Sequence, residues 1–148
     1  MEQERLELPY EVVNEHSGVP SYARAGDAGL DLSASESLVV GPLQRASVGT
    51  GIALGIPDGY CGLLLPRSGL ALRSGVTLLN APGLIDAGYR GEIRVVLYNS
   101  DREESFTVAV GDRIAQLVVL PFPYVVLNRT ERLPPSERGE NGFGHSGR

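Results

Sequence analysis

The chain has one cysteine, two histidines and no run of Lys or Arg among its 148 residues. Each shortage removes a class of protein. Cys61 has no partner for an intramolecular disulfide, and its place in the apolar run C-G-L-L-L suits a small buried hydrophobe rather than a reactive thiol. His16 and His145 are the only histidines and no Cys/His cluster exists, so a protein-ligated zinc is not expected. A formal net charge of -5 without a basic tract argues against general nucleic-acid or membrane-surface binding. Any anion must then be held locally. No apolar run approaches membrane-spanning length, and the opening M-E-Q-E-R carries acids where a signal peptide carries a basic segment. A soluble cytoplasmic protein is the expectation. The phosphate-binding pattern G-x-x-x-x-G-K-[ST] and the nucleophile pattern G-x-S-x-G are also missing.

What is abundant is punctuation, with 19 glycines and 10 prolines, too many for long helices in a chain still apolar enough to fold. Leu6, Leu8, Tyr10 and Val12 alternate with Glu7, Pro9 and Glu11, the period of a strand with one wet face and, given the proline, an edge. Further strands are expected at 37–40, 45–54, 60–65, 75–79, 92–98, 105–110, 113–120 and 124–127. Only 68–73 combines helix formers with a plausible N-cap, and it gives barely two turns. The sum is an all-β sandwich or jelly roll over residues 1–133 with one short helix. From Pro134 the texture becomes P-P-S-E-R-G-E-N-G-F-G-H-S-G-R, a glycine-rich stretch with too little apolar surface to offset chain entropy. Residues 134–148 read as a flexible C-terminal arm, whose Phe143 could stack on a ligand.

Four stretches could carry chemistry. Asn80 to Ile93, N-A-P-G-L-I-D-A-G-Y-R-G-E-I, reads as a hairpin with Leu84-Ile85-Asp86 on one arm and Tyr89 at the bend, presenting backbone edges beside a carboxylate and an aromatic face. It could read a flat base and hold a water, or be ordinary turn chemistry. Asp27 and Asp31 in A-G-D-A-G-L-D-L are either functional acids or turn and strand-edge solvation. Arg67, Ser68 and Gly69 open the short helix, where amides and a guanidinium suit phosphate oxygens, or merely cap it. In G-D-R-I-A-Q-L-V, Ile114, Gln116, Val118 and Leu120 are expected on one face, so the Gln116 amide interrupts an apolar stripe. Leaving it unpaired would cost on the order of 1 to 3 kcal/mol, so it needs a partner, whether backbone, phosphate or a metal-bound water.

With R-G-E-N-G-F-G-H-S-G at the C-terminus, these stretches follow one another in the order and spacing of the trimeric dUTP pyrophosphatases (dUTPases), which the chain resembles from about Tyr10 onward. The resemblance implies a homotrimer of jelly-roll subunits, of the dUTPase-like β-clip kind, with three shared active sites and Mg2+ as cofactor. It implies hydrolysis of dUTP to dUMP and pyrophosphate, which limits uracil incorporation into DNA and supplies dUMP for dTMP synthesis. By that likeness Asn80, Leu84, Ile85 and Tyr89 read uracil and deoxyribose, and Asp86 is the base that activates water. Arg67, Ser68, Gly69 and Gln116 match phosphate-binding positions given by another subunit. Arg138, Phe143, His145 and Ser146 match an arm from a third. Asp31 matches an acid expected to order the metal–water network, with Gln116 beside it; no direct protein ligand to the metal is implied. Arg94 lies where the family has a variable substrate contact. Two departures from the pattern are Asn141, where glycine is usual, and Leu30, where an aromatic is common.

Two alternatives stay open on sequence alone. A dCTP deaminase-related enzyme shares the fold, although Asp86 and the complete arm motif speak against it. A non-catalytic, dUTP-sensing trimer would keep the pocket without turnover, although none of the motifs looks disabled.

Overall fold

The computed structural model describes residues 5–140. Ten strands and one helix follow in order: β1 (Tyr10–Val12), β2 (Leu30–Ser33), β3 (Leu38–Val40), β4 (Arg45–Leu54), β5 (Tyr60–Leu65), α1 (Ser68–Ser74), β6 (Val76–Leu78), β7 (Gly83–Ile85), β8 (Glu92–Asn99), β9 (Phe106–Val108) and β10 (Arg113–Pro121). They form two four-stranded antiparallel sheets, β1-β4-β8-β6 and β2-β10-β5-β7, and the pair β3-β9. Alternation explains the layering. On β8, Ile93, Val95, Leu97 and Asn99 are buried while Glu92, Arg94, Val96 and Tyr98 take the other face. The core between the sheets is aliphatic, with Leu32, Val48, Ile52, Val95, Leu97, Ile114 and Leu117 at most 1% exposed. The all-β, jelly-roll-like architecture with one short helix is as the sequence suggests, and Cys61 is buried.

The differences from the expected elements have local causes. The first strand begins at Tyr10, opposite Leu54, because Pro9 brings no N–H to the ladder and offers only its carbonyl, to the Gly55 amide. The segment 124–127 is no strand. Tyr124, Val125, Val126 and Leu127 are exposed, and every described residue from 121 onward lies at the surface. β-propensity without a pairing edge does not make a strand. The helix is capped by Arg67 in extended backbone with no side-chain hydrogen bond, so Ser68 lies inside it rather than at its N-cap. It closes at Gly75 in left-handed backbone, φ 63°.

Two further corrections bear on the site. The stretch 80–93 is not a paired hairpin: β7 pairs with β5 and β8 with β4 and β6, so its two arms belong to different sheets. The expected apolar stripe on β10 is broken by a bulge between Arg113 and Ala115, which buries Ile114 and Ala115 in succession. Beyond it Ala115 and Leu117 face the core, and Gln116 turns to the other face, half-buried.

Candidate active site

The connection from β7 to β8 crosses from one sheet to the other, and the crossing leaves a hollow of about 240 Å³. Asn80, Leu84, Ile85, Asp86, Tyr89 and Arg94 all contribute to its wall. Of these, Ile85 is rooted in the core at 7% exposure, whereas Leu84 is 63% exposed and Asp86 is open to solvent. The wall is therefore an anchored strand with a wet rim. The turn holds itself: the Tyr89 amide donates to the Asp86 carbonyl at 3.1 Å, and the Arg90 guanidinium donates to the carbonyls of Ala87 and Tyr89. The Tyr89 hydroxyl donates to the Glu92 carbonyl at 2.9 Å, folding its ring over Gly91, where any Cβ would come within 2.5 Å of that hydroxyl.

Also on the wall of the hollow, Glu92 and Arg94 share one face of β8 by the period of two. One Glu92 oxygen accepts the Gly51 amide at 2.9 Å and the other accepts Arg94 at 2.9 Å. Arg94 also donates to Glu36 at 2.7 Å and to Ser47 Oγ at 3.0 Å. Glu36 in turn accepts the Gly49 amide at 2.5 Å. That amide bond is the main reason the Glu36 pKa is held below the usual carboxylate value, with the Arg94 guanidinium helping and partial burial opposing. Partial burial works against the Arg94 charge, but the hydrogen bonds and attraction of the two carboxylates exceed it and raise its pKa. Arg94, expected at the substrate, thus has its guanidinium turned to two acids and a serine. The sequence does not mark Glu36 or Glu92; the i, i+2 spacing of Glu92 and Arg94 is the one sign it carries.

A second cluster is assembled from three distant segments. Asp31 on β2 pairs in register with Gln116 on β10. Its Oδ1 lies 3.4 Å from Arg67 Nε and its Oδ2 accepts Arg113 Nη1 at 3.2 Å. Arg67 Nη1 also donates to the Arg113 carbonyl at 3.3 Å. The Gln116 amide donates to the Pro66 carbonyl at 3.4 Å, a backbone partner. Asp31 is thus more than strand-edge solvation, whereas Asp27 caps its own turn by accepting the Arg24 amide at 2.9 Å. Arg67, Ser68, Gly69 and Gln116 are not on the wall of the β7–β8 hollow. Arg138 is exposed, and Phe143, His145 and Ser146 lie outside the described residues.

The subunit is jelly-roll-like, with a small hollow at a sheet crossing that carries the Asp86 carboxylate on its rim and a separate cluster of guanidinium groups around Asp31. Comparison with known proteins narrows this class. The dUTPase family model matches residues 15–147. The chain is 51% identical to the deoxyuridine 5'-triphosphate nucleotidohydrolase of Leifsonia xyli subsp. xyli over 129 residues, covering 87% of this chain and 85% of that one. It is likewise 51% identical to the enzyme of that name from Tropheryma whipplei over 141 residues, covering 95% and 97%. Among solved structures, a mutant of the Staphylococcus bacteriophage 80alpha dUTPase with dUpNHpp superposes with a TM-score of 0.90 at 30% identity, covering 95% of this chain and 98% of that one. A mutant dUTPase from phage phi11 of S. aureus, described with a structural Mg(II) ion, gives 0.80 at 26% identity, covering 86% and 98%. The chain belongs to the dUTPase family.

Proposed function

We propose that this protein is a dUTP diphosphatase, hydrolysing dUTP to dUMP and pyrophosphate. The observation that carries the reading is the meeting of Asp86 with Asn80, Leu84, Ile85 and Tyr89 around one hollow, beside relatives named for this activity. Asn80 and the β7 backbone at Leu84 and Ile85 read the uracil edge, and the Tyr89 ring supports the deoxyribose. Asp86, exposed at the rim, accepts a proton from water as that water attacks the α-phosphorus; the P–O bond to the β-phosphate breaks and pyrophosphate leaves. General-base help of this kind contributes about 10² to 10⁴ in rate. Positioning and charge neutralisation supply the rest, so no covalent nucleophile is needed.

The assembly is a homotrimer with shared sites. Arg67, Ser68, Gly69 and Gln116 of one subunit receive the phosphates of a nucleotide held in the hollow of another, and Arg138, Phe143, His145 and Ser146 belong to a closing arm from a third. Support comes from the separation of the two clusters on one chain and from the uncovered apolar run Phe122, Tyr124, Val125, Val126 and Leu127. Mg2+ is the cofactor. Among the described residues no group of three or more His, Cys, Asp and Glu could hold a metal ion, and in this reading the ion arrives on the triphosphate with its own waters. It would neutralise phosphate charge, and Asp31 and Gln116 are the residues that would hold its bound waters. The protein works in the cytoplasm.

The test is pyrophosphate release from dUTP, dTTP, dCTP and UTP with Mg2+, together with light scattering on the same sample. Release far faster from dUTP, from a particle of three subunits, is expected. Equal turnover of all four nucleotides would remove the base-reading role of the hollow, and ammonia release from dCTP would indicate deaminase chemistry instead. Binding of dUTP without turnover would leave only a sensing role.

A further inference from the structure

Among the described residues the wall of the hollow holds one cation, Arg94, together with the acid Asp86. Opposite charges on so small a cavity attract, and pairing is the simple expectation. It is not what the fold does. Among the described residues Asp86 has no ion pair within 4.0 Å, whereas Arg94 is paired twice, with Glu36 at 2.7 Å and with Glu92 at 2.9 Å. All three nitrogens of its guanidinium are engaged: Nε donates to Ser47 Oγ, Nη1 to Glu92, and Nη2 to Glu36 and to the Ser47 carbonyl. Two carboxylates on one guanidinium leave the group at one negative charge, one acid more than pairing requires.

The two acids are themselves fixed to backbone. The β4–β8 register shifts between Gly49 and Ala53, and there the Gly49 amide donates to Glu36 and the Gly51 amide to Glu92. The side chains close so tightly that a Cβ at Gly49 would come within 2.5 Å of Glu92 Oε1, 2.9 Å of Arg94 Nη1 and 3.1 Å of Glu36 Oε1. Arg94 and Glu36 are 42% and 41% exposed, so one ion pair between them would count for little. A planar fork gripped at several points by anchored groups nevertheless keeps its direction.

We propose that Glu36 is a positioning residue for the hydrolysis: with Glu92 and Ser47 it holds the Arg94 guanidinium away from Asp86, leaving the rim acid free to take a proton from water. The inference rests on the reading of Asp86 as the general base. An arginine released from its partners has room to reach Asp86 across a hollow of about 240 Å³. A carboxylate so paired has its lone pairs spent on the guanidinium and resists protonation. The loss falls on kcat more than on KM, because the base acts in the transition state.

The experiment measures kcat and KM for dUTP in wild type, Asp86→Asn, Glu36→Gln, Arg94→Lys, Arg94→Gln and the double variant Glu36→Gln/Arg94→Gln, each first checked for folding by thermal melting. Glu36→Gln should lower kcat about tenfold with a smaller change in KM, and adding Arg94→Gln should recover most of that loss, since no cation is left to pair with Asp86. A structural brace gives the reverse, a double variant at least as slow as the single one; that result, or an unchanged kcat in Glu36→Gln, overturns the proposal. If Glu36→Gln does not fold, the two substitutions at position 94 decide. Lysine keeps the charge but not the planar fork, so Arg94→Lys should be about threefold slower than Arg94→Gln. A brace or a substrate contact would favour lysine over glutamine, and a lysine variant as fast as the glutamine variant or faster overturns the proposal. No dUTP turnover by wild type would count against the diphosphatase reading itself, and wild-type turnover by Asp86→Asn against the base. A slow Asp86→Asn without the pattern at Glu36 and Arg94 leaves that base in place and removes only the role given to Glu36.

Discussion

The hollow at the sheet crossing and the Asp31 cluster are built in opposite ways. The hollow takes most of its wall from one continuous stretch, Asn80 to Arg94, and its turn is closed by hydrogen bonds between residues one to three apart. The cluster joins Asp31 to Arg67 and Arg113, partners 82 positions apart in the case of Arg113, and exists only because β2, β5 and β10 lie side by side. A site of the first kind survives or fails by its own loop geometry. A site of the second kind depends on sheet register, where a slip of one residue turns every side chain to the other face.

The largest expected effect falls on the hollow. Asp86→Asn should lower kcat by about 10² to 10⁴ while dUTP affinity is retained. Turnover within a few-fold of wild type would strip Asp86 of its role as base and leave the hollow a binding site only. Next comes Gly91→Ala, whose new Cβ meets the Tyr89 hydroxyl at 2.5 Å and must displace the ring. A fall of about 10- to 100-fold in kcat/KM for dUTP, with a smaller preference over UTP, is expected from misplaced sugar contacts. Steady-state kinetics with both nucleotides checks this, and an intact dUTP-to-UTP ratio would separate Tyr89 from sugar selection.

The cluster should respond more mildly. At Gly29 an added Cβ would lie 2.9 Å from Gln116 Oε1 and 3.2 Å from Gln116 Cβ, so Gly29→Ala displaces the carboxamide and presses on the β10 strand that carries it. A rise of about fivefold in KM for dUTP is expected, the scale of one neutral hydrogen bond, with inhibition by deoxyuridine constant. A parallel loss for both ligands would show that the two regions are not separable.

The smallest effect is one on stability and concerns the charged network of Glu36, Glu92 and Arg94. The folded pKa of Glu36 lies below 4.5, so its contribution to stability is present above that value and is lost as pH falls through the folded pKa. The melting temperature of Glu36→Gln should therefore lie slightly below wild type at neutral pH and converge with it in acid. The side chain is 41% exposed, so solvent screening keeps the difference small. A gap that widened on acidification would contradict the cause given for the lowered pKa.

The contrast also explains what was legible. Asn80, Leu84, Ile85, Asp86 and Tyr89 could be grouped from sequence because they sit within ten positions and are set off by glycine and proline. That the two arms of this stretch join different sheets could not be read, since turn signals say where a chain reverses and not which edge it then meets. The sequence shows Gln116 as an amide needing a partner but not which face it takes, because the bulge after Arg113 is a property of the paired ladder rather than of the strand. The run 124–127 has the composition of a strand and no edge to join among the described residues.

By itself the sequence determined the class of fold, the short helix expected at 68–73 and the family, because these follow from local periodicity, breakers and motif order, which act over a few residues. Tertiary structure alone decided that Asp31 binds two arginines, that Arg94 is tied to Glu36 and Glu92, and that Asp86 stands at the rim of a hollow. Those facts depend on strand order and register, which are selected by the packing of the whole core and have no local code.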